Sequence, residues 1–427
     1  MTVILANSNL DLKKDRLLAL LLVCSAFFVA LVGWYPPYQT GLYIASCELV
    51  FVMTFFLFNQ TIDALNFLFK NKLLLWLSIL WYFFFNASYI QLFFQNASSF
   101  QIYIATLSYL FTSMHLIFFL CIISFFAKSK YSNGLSLNPV ALSNLIIVYI
   151  FYLIINSGIV IPESFLLHSP PFASNIRYIG YLFTIGSLTS VLWLLTKQFN
   201  DRFFILYGFI ALVNLSFLVW LGGRTAIASV YISLFFLLFY LRKYKELNYK
   251  KIFFLTGLII TSLIIAYQTS IYSWNGMGWF ISHLGVDGEF DVNRFSSNRL
   301  AIWSVSINAI KESPWLGFGP NGYYFIQGHF FGLHPHNMVL QFFLDWGVIG
   351  GVIFLLILLY SILKGVILLV TTNNSSLALA LLIISGLTLH GLTDGTYYHA
   401  QPVFYLLLAF ALIPASLLKE QHAFALK

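Results

Sequence analysis

Two imidazoles two residues apart, His334 and His336, precede Asn337 in "GLHPHNMVLQFFLDWG", where a polar stretch passes into a long apolar one. A histidine side chain, with its ordinary pKa of ~6.5, can take a proton from a hydroxyl near neutral pH. Asn337 or Asp345 would orient it. An HxH pair can also hold zinc, but no cysteine falls on the same predicted face and His329 is the one further histidine nearby, so we expect no metal and no other cofactor. A structural, hydrogen-bonded histidine is the third reading.

Two arginines carry the complementary chemistry. Arg224 stands in the short turn "WLGGRTAIAS", and Arg299 opens "NRLAIWSVSINAIKES", whose spacing predicts a helix with Leu300, Trp303, Ile307 and Ile310 on one stripe and Ser296, Ser297 or Asn298 as its N-cap. A guanidinium stays protonated and presents a planar fork of donors that suits phosphate. The competing reading is an arginine reaching toward lipid headgroups. Arg294 is a weaker substrate-binding candidate, because it can simply neutralise "VDGEFD". That stretch places Asp287, Glu289 and Asp291 at alternate positions, and we read it as a solvated acidic turn rather than a cation loop. In "LHGLTDGTYYHAQP", Asp394 can hold an arginine or a substrate hydroxyl, with His390 and His399 on either side. Glu48 and His115 fall inside apolar runs, where ionisable groups are functional candidates unless they satisfy each other within the bundle.

The elements that must position these residues follow from composition. Of 427 residues, 60% are hydrophobic and 8% charged, and the mean hydropathy is +0.86. Apolar runs long enough to cross about 30 Å of hydrocarbon recur along the chain, and only helices satisfy their own backbone there. We therefore expect an all-α polytopic membrane protein, a single transmembrane domain over residues 1–427, with about twelve spans. These are Leu17–Trp34, Gly41–Phe58, Leu73–Phe94, Gln101–Phe126, Val140–Ile161, Tyr178–Leu195, Phe203–Leu221, Thr225–Leu241, Ile252–Tyr267, Trp346–Val370, Leu377–Leu392 and Pro402–Leu418.

With both termini on the cytoplasmic side, 17 of the 22 Lys and Arg residues lie in cytoplasmic segments, as short loops require. The net charge of +8 thus reflects topology rather than a nucleic-acid partner. Residues 268–337, between spans nine and ten, form one large periplasmic loop that carries short helices and the candidate catalytic groups. Gly317-Phe-Gly-Pro-Asn-Gly322 has GxGxxG spacing, but no strand precedes it and Pro320 lacks an amide donor, so a tight turn is expected and not a dinucleotide site. Cys24, Cys47 and Cys121 fall within spans and are expected to be buried free thiols. The first apolar run, after "DLKKDR", is read as a retained signal anchor.

"GGRTA" at Arg224, "NRLAIWSVSINAIKESPWLGFGPNGYY" at Arg299 and "HPHNMVLQFFLDWGVIGGVIF" at His336 together resemble the O-antigen ligase and polymerase superfamily, most strongly over residues 294–355. The resemblance implies a metal-independent, inverting glycosyltransferase of the bacterial inner membrane, with its site on the periplasmic face. Its donor would be a glycan on undecaprenyl pyrophosphate, bound among membrane lipids. Its acceptor would be the lipid A core for a ligase, the reading we favour, or another lipid-linked repeat for an O-antigen or capsule polymerase. Arg224 and Arg299 match the family's pyrophosphate-binding arginines and His336 its essential histidine, with His334 as the alternate. From a different class, a transporter of lipid-linked oligosaccharide remains the rival reading. Such carriers gather ionisable groups near the midplane of related halves, whereas here they gather at one surface.

Overall fold

The computed structural model describes residues 2–32, 37–58, 60–94, 97–129, 136–158, 173, 175–198, 201–243, 248–269, 296, 298–326 and 334–425. Among these residues there is no strand, and the fold is an all-α bundle typical of a polytopic membrane protein. The helices are α1 (Thr2–Leu31), α2 (Pro37–Leu57), α3 (Asp63–Lys70), α4 (Lys72–Ile90), α5 (Ser99–Lys128), α6 (Pro139–Ile155), α7 (Ile176–Thr196), α8 (Phe204–Trp220), α9 (Arg224–Lys243), α10 (Tyr249–Thr269), α11 (Arg299–Glu312), α12 (Met338–Thr372), α13 (Ser375–Gly391) and α14 (Ala400–Ala425). Seven of them are long and apolar enough to cross a bilayer, and four shorter apolar helices coincide with predicted spans two, five, seven and eleven. Helix α1 overlaps the first predicted span from Leu17 to Leu31.

Helix α7 is the axis of the bundle: 89% of its apolar window is buried, against 17% for the peripheral α10. It packs on α6, α8, α9 and α13. In an apolar medium burial alone does not tie helices together, and buried polar pairs supply part of the adhesion. Asn144 of α6 donates to Asn214 Oδ1 of α8 at 2.6 Å and to the Leu182 carbonyl of α7 at 3.0 Å. Gly186 of α7 leaves the space for this clasp, since a Cβ there would overlap both amides. Glu48 and His115 likewise satisfy each other, with Nδ1 2.7 and 2.8 Å from the two carboxylate oxygens.

Helix α12 differs from the expected tenth span. It starts at Met338, eight residues earlier than Trp346, because the Asn337 side chain caps it by accepting from the Val339 and Leu340 amides. The helix then breaks at Gly347, whose φ of +72° belongs to the left-handed region. The break receives the "SPWLGFGPNG" turn: Val348 N donates to the Pro314 carbonyl at 2.8 Å and Phe318 N to the Leu344 carbonyl at 2.6 Å. A Cβ on Gly347 would overlap the Trp315 carbonyl, and one on Gly317 the Leu344 carbonyl. The glycine-rich segment is therefore a tight turn, as its sequence suggests, and its backbone docks on α12.

Helix α11 takes Asn298, one of the three expected N-cap residues, as its N-cap, in the left-handed region and without a side-chain cap bond. The buried face is Ile302, Ser306 and Ala309, while Leu300 and Ile307 point outward at 42% and 45% exposure. Trp303 and Ile310, the other two residues of the stripe, are partly buried against the cluster that Ile302 and Ala309 form with Tyr323, Ile326 and Leu344. Cys24 is also exposed rather than buried. Of the large loop, residues 270–295, 297 and 327–333 lie outside the described residues, and with them Arg294, His329 and the "VDGEFD" stretch.

Candidate active site

Five helix ends meet at one end of the bundle: the starts of α7, α9, α12 and α14 and the close of α13. Arg224 is the first residue of α9 and Arg299 the first of α11. Helix N-termini carry unpaired amides and a partial positive charge, so both guanidiniums are rooted where anions are already favoured. Trp303 of α11 holds the histidine turn through its indole N–H, 3.1 Å from the Pro335 carbonyl. Asn337 Nδ2 donates at 2.9 Å to the Leu392 carbonyl, which ties the start of α12 to the end of α13.

Between these fixed points His336 adopts φ +51°. That region is uncommon for side chains with a Cβ, although histidine tolerates it better than most. The turn carries His336 Nδ1 to 3.3 Å from Asp394 Oδ1. Asp394 is the hub of the site. Its Oδ1 also accepts from Tyr181 Oη at 3.0 Å and from the Gly395 amide at 2.8 Å. Its Oδ2 faces Arg299 Nη2 at 3.5 Å and His390 Nε2 at 3.7 Å. Arg299 Nη1 reaches Thr225 Oγ1 at 3.5 Å, and Thr393 donates to the same hydroxyl at 2.7 Å. Arg299 and His336, distant in sequence, thus share one carboxylate.

Burial alone would push the Asp394 carboxyl up. The hydrogen bonds and charges of His336 and His390 outweigh it and hold Asp394 well below the ordinary carboxylate range. It is therefore ionised at neutral pH. In His334 and His399 burial prevails and lowers both, His399 to about 3, so both are neutral. His334 is 2% exposed, lies against Tyr398 and His399, and accepts the His336 amide on Nδ1 at 3.2 Å. Gly395 makes room for its ring, which any Cβ at that position would overlap.

His334, His336 and Asp394 offer one ligand atom each within 4.8 Å of one another. Two features oppose a cation there. The Arg299 guanidinium lies beside the same carboxylate, and a His334 Nδ1 that accepts a hydrogen bond places its proton on Nε2, leaving that atom no lone pair for a metal.

Residues 209–355 match the O-antigen ligase family. That segment contains Arg224, Arg299, His334, His336 and Asn337, while Asp394 and Tyr181 lie outside it. A Rickettsia conorii protein whose name assigns it provisionally to the polysaccharide ligases is 37% identical over 82 residues, 16% of this chain and 20% of that protein. The chain therefore covers only a fifth of that relative's length.

The structure brings His336, His334, Arg299 and Asp394 into one cluster. Arg224 adjoins it in sequence through Thr225. Asn337 is spent on capping α12 and bonding to Leu392, and Asp345 takes Gly322 N and Gln341 Nε2 instead of orienting His336. Sequence reasoning missed Tyr181 and Thr225. The first sits in an apolar helix end, where tyrosine is commonplace; the second had a signal, since it follows Arg224 directly in "GGRTA".

Proposed function

We propose that this protein is an inverting, metal-independent glycosyltransferase that moves a glycan from undecaprenyl pyrophosphate to a sugar hydroxyl. The acceptor we favour is the lipid A core, as in an O-antigen ligase. The observation that carries this reading is the single carboxylate of Asp394, which gathers an imidazole and a guanidinium at one end of the bundle.

A sugar pyrophosphate ester is already activated. The enzyme must take a proton from the acceptor hydroxyl, align it behind the anomeric carbon, and stabilise the departing diphosphate. With Nδ1–H of His336 directed at Asp394, Nε2 is left as the base. The acceptor oxygen, losing its proton to Nε2, attacks the anomeric carbon as the carbon–oxygen bond to the diphosphate breaks, and the configuration inverts. The bond electrons leave with the diphosphate, whose charge Arg224 and Arg299 meet together with the amides of two helix starts. Arg299 stands 3.5 Å from Thr225 Oγ1 and from Asp394 Oδ2, and its planar, permanently charged fork suits phosphate oxygens. The acceptor imidazolium then returns its proton to solvent. On the expected topology this chemistry takes place at the periplasmic face of the inner membrane.

The test is reconstitution with lipid-linked repeats, with and without core lipid, and sizing of the products. A ligase joins glycan to core lipid; a polymerase lengthens the lipid-linked glycan without it; a carrier makes no covalent product. Arg224→Ala and His336→Ala should each lower turnover by on the order of 10²–10³. Near-normal transfer by both, in correctly inserted protein, would overturn the assignment.

A further inference from the structure

Tyr181 is fully buried, on α7, and contributes nothing to substrate contact in the mechanism above. Its hydroxyl nonetheless donates to Asp394 Oδ1 at 3.0 Å from an element 213 residues away in the chain. The ring is held from one side by His390, centroids 4.9 Å apart, and by Tyr178 at 6.0 Å. The Gly395 amide donates to the same oxygen at 2.8 Å. Two fixed donors on Oδ1 stop the carboxylate from rotating about its last bond, and that bond sets which oxygen His336 sees. A carboxylate that turned would offer His336 a different geometry and lose its contacts with Arg299 and His390 on Oδ2.

The geometry points to Tyr181 as a positioning residue of the transfer reaction: its hydroxyl fixes Asp394 Oδ1 toward His336 Nδ1, so that Nε2 faces the acceptor as the base. This rests on the proposed role of His336. The same hydrogen bond disperses the carboxylate's negative charge, so that Asp394 orients the imidazole without taking its proton. A buried tyrosine needs some partner for its hydroxyl. That requirement is met elsewhere by a backbone carbonyl, as Tyr405 shows by donating to Ala26 at 2.6 Å; at Tyr181 the partner is the charged hub.

Tyr181→Phe keeps the ring and removes only the donor. In full-length reconstituted protein we expect kcat to fall on the order of tenfold, the value for one hydrogen bond to a charged group, with KM for donor and acceptor within about twofold. The acid limb of the pH profile should move to higher pH, because an undispersed carboxylate stabilises the imidazolium more. Site-specific 3-fluorotyrosine at position 181, a stronger donor that preserves the packing, should move the limb to lower pH. Tyr405→Phe is the control for losing a buried hydroxyl and should leave the limb in place. Adding Tyr181→Phe to Asp394→Asn should cost little more than Asp394→Asn alone.

Limbs that superpose on wild type for both Tyr181 variants, or equal losses in Y181F and Y405F without a shift, would overturn the positioning role. His336→Gln, measured alongside, separates the two readings. Its normal transfer would sink the base assignment, whereas an inactive H336Q beside an unmoved Y181F would sink this inference alone.

Discussion

Asp394→Asn is the sharpest perturbation of the site, since it removes one charge and almost no volume. The carboxylate lies 3.3 Å from His336 Nδ1 and 3.5 Å from Arg299 Nη2. At an effective dielectric of ~20, a unit charge at either distance is worth about 5 kcal/mol. The interaction with His336 matters in the transition state, where the imidazole becomes imidazolium as it takes the acceptor proton. Desolvation and the retained hydrogen bonds of asparagine offset part of that figure, leaving a net loss of about 3–4 kcal/mol, which is on the order of 10²–10³ in kcat. Asparagine also presents an NH2 at one of the two positions: at Oδ1 it would face the donors of His336, Tyr181 and Gly395 and disturb the tautomer that leaves Nε2 as the base, and at Oδ2 it would face the Arg299 guanidinium instead.

The split between kinetic constants tests the assignment. Arg299 loses a competing anion in D394N, so KM for the lipid-linked donor should stay level or fall while kcat collapses, and the acid limb should move to lower pH. The assay is initial-rate transfer in proteoliposomes across a pH series, with insertion checked by protease accessibility. A raised acceptor KM with kcat preserved would refute the reasoning and return Asp394 to the role of binding a substrate hydroxyl.

Stability offers further tests. Gly347→Ala would place a Cβ against the Trp315 carbonyl at a positive φ; the expected loss is about 3 kcal/mol or more, read as a drop in thermal midpoint in detergent. His399 titrates at about 3 in the fold and near ~6.5 when unfolded, so the unfolded chain binds the extra proton. Stability should therefore fall as pH drops from about 6.5 toward 3, at up to roughly 1.4 kcal/mol per pH unit from this group; His399→Gln should flatten that slope, and Asp394, held below its ordinary range, adds the same trend below ~3.9. His115→Ala strands the fully buried Glu48 without its 2.7 Å partner and should cost about 3 kcal/mol, while the double change to Glu48→Leu with His115→Leu should cost less, because an apolar pair leaves no orphaned charge.

What the sequence discloses and what it conceals divides along one physical line. Apolar runs of bilayer length disclose helices because hydrocarbon permits no other backbone there, and among the described residues each expected span overlaps a helix. Arg299 and His336 stand out for a related reason, since polar groups are scarce in such a chain and each needs an explanation. Pairing is another matter. His336 meets a carboxylate 58 residues onward, and Tyr181 meets the same carboxylate across 213 residues; nothing in either neighbourhood distinguishes that tyrosine from an interfacial one. Gly347 lies within an apolar run where a glycine carries no mark of its backbone conformation, yet its positive φ answers the turn at Trp315. Periodicity does not fill this gap, because the apolar stripe on α11 divides between two environments. Leu300 and Ile307 face out, while Trp303 and Ile310 of the same stripe pack on the cluster of Ile302, Ala309, Tyr323, Ile326 and Leu344. In this protein the placement of charge, more than the placement of hydrophobic residues, therefore locates the site. The hub that makes the charges act together is fixed by which helix ends the topology brings side by side.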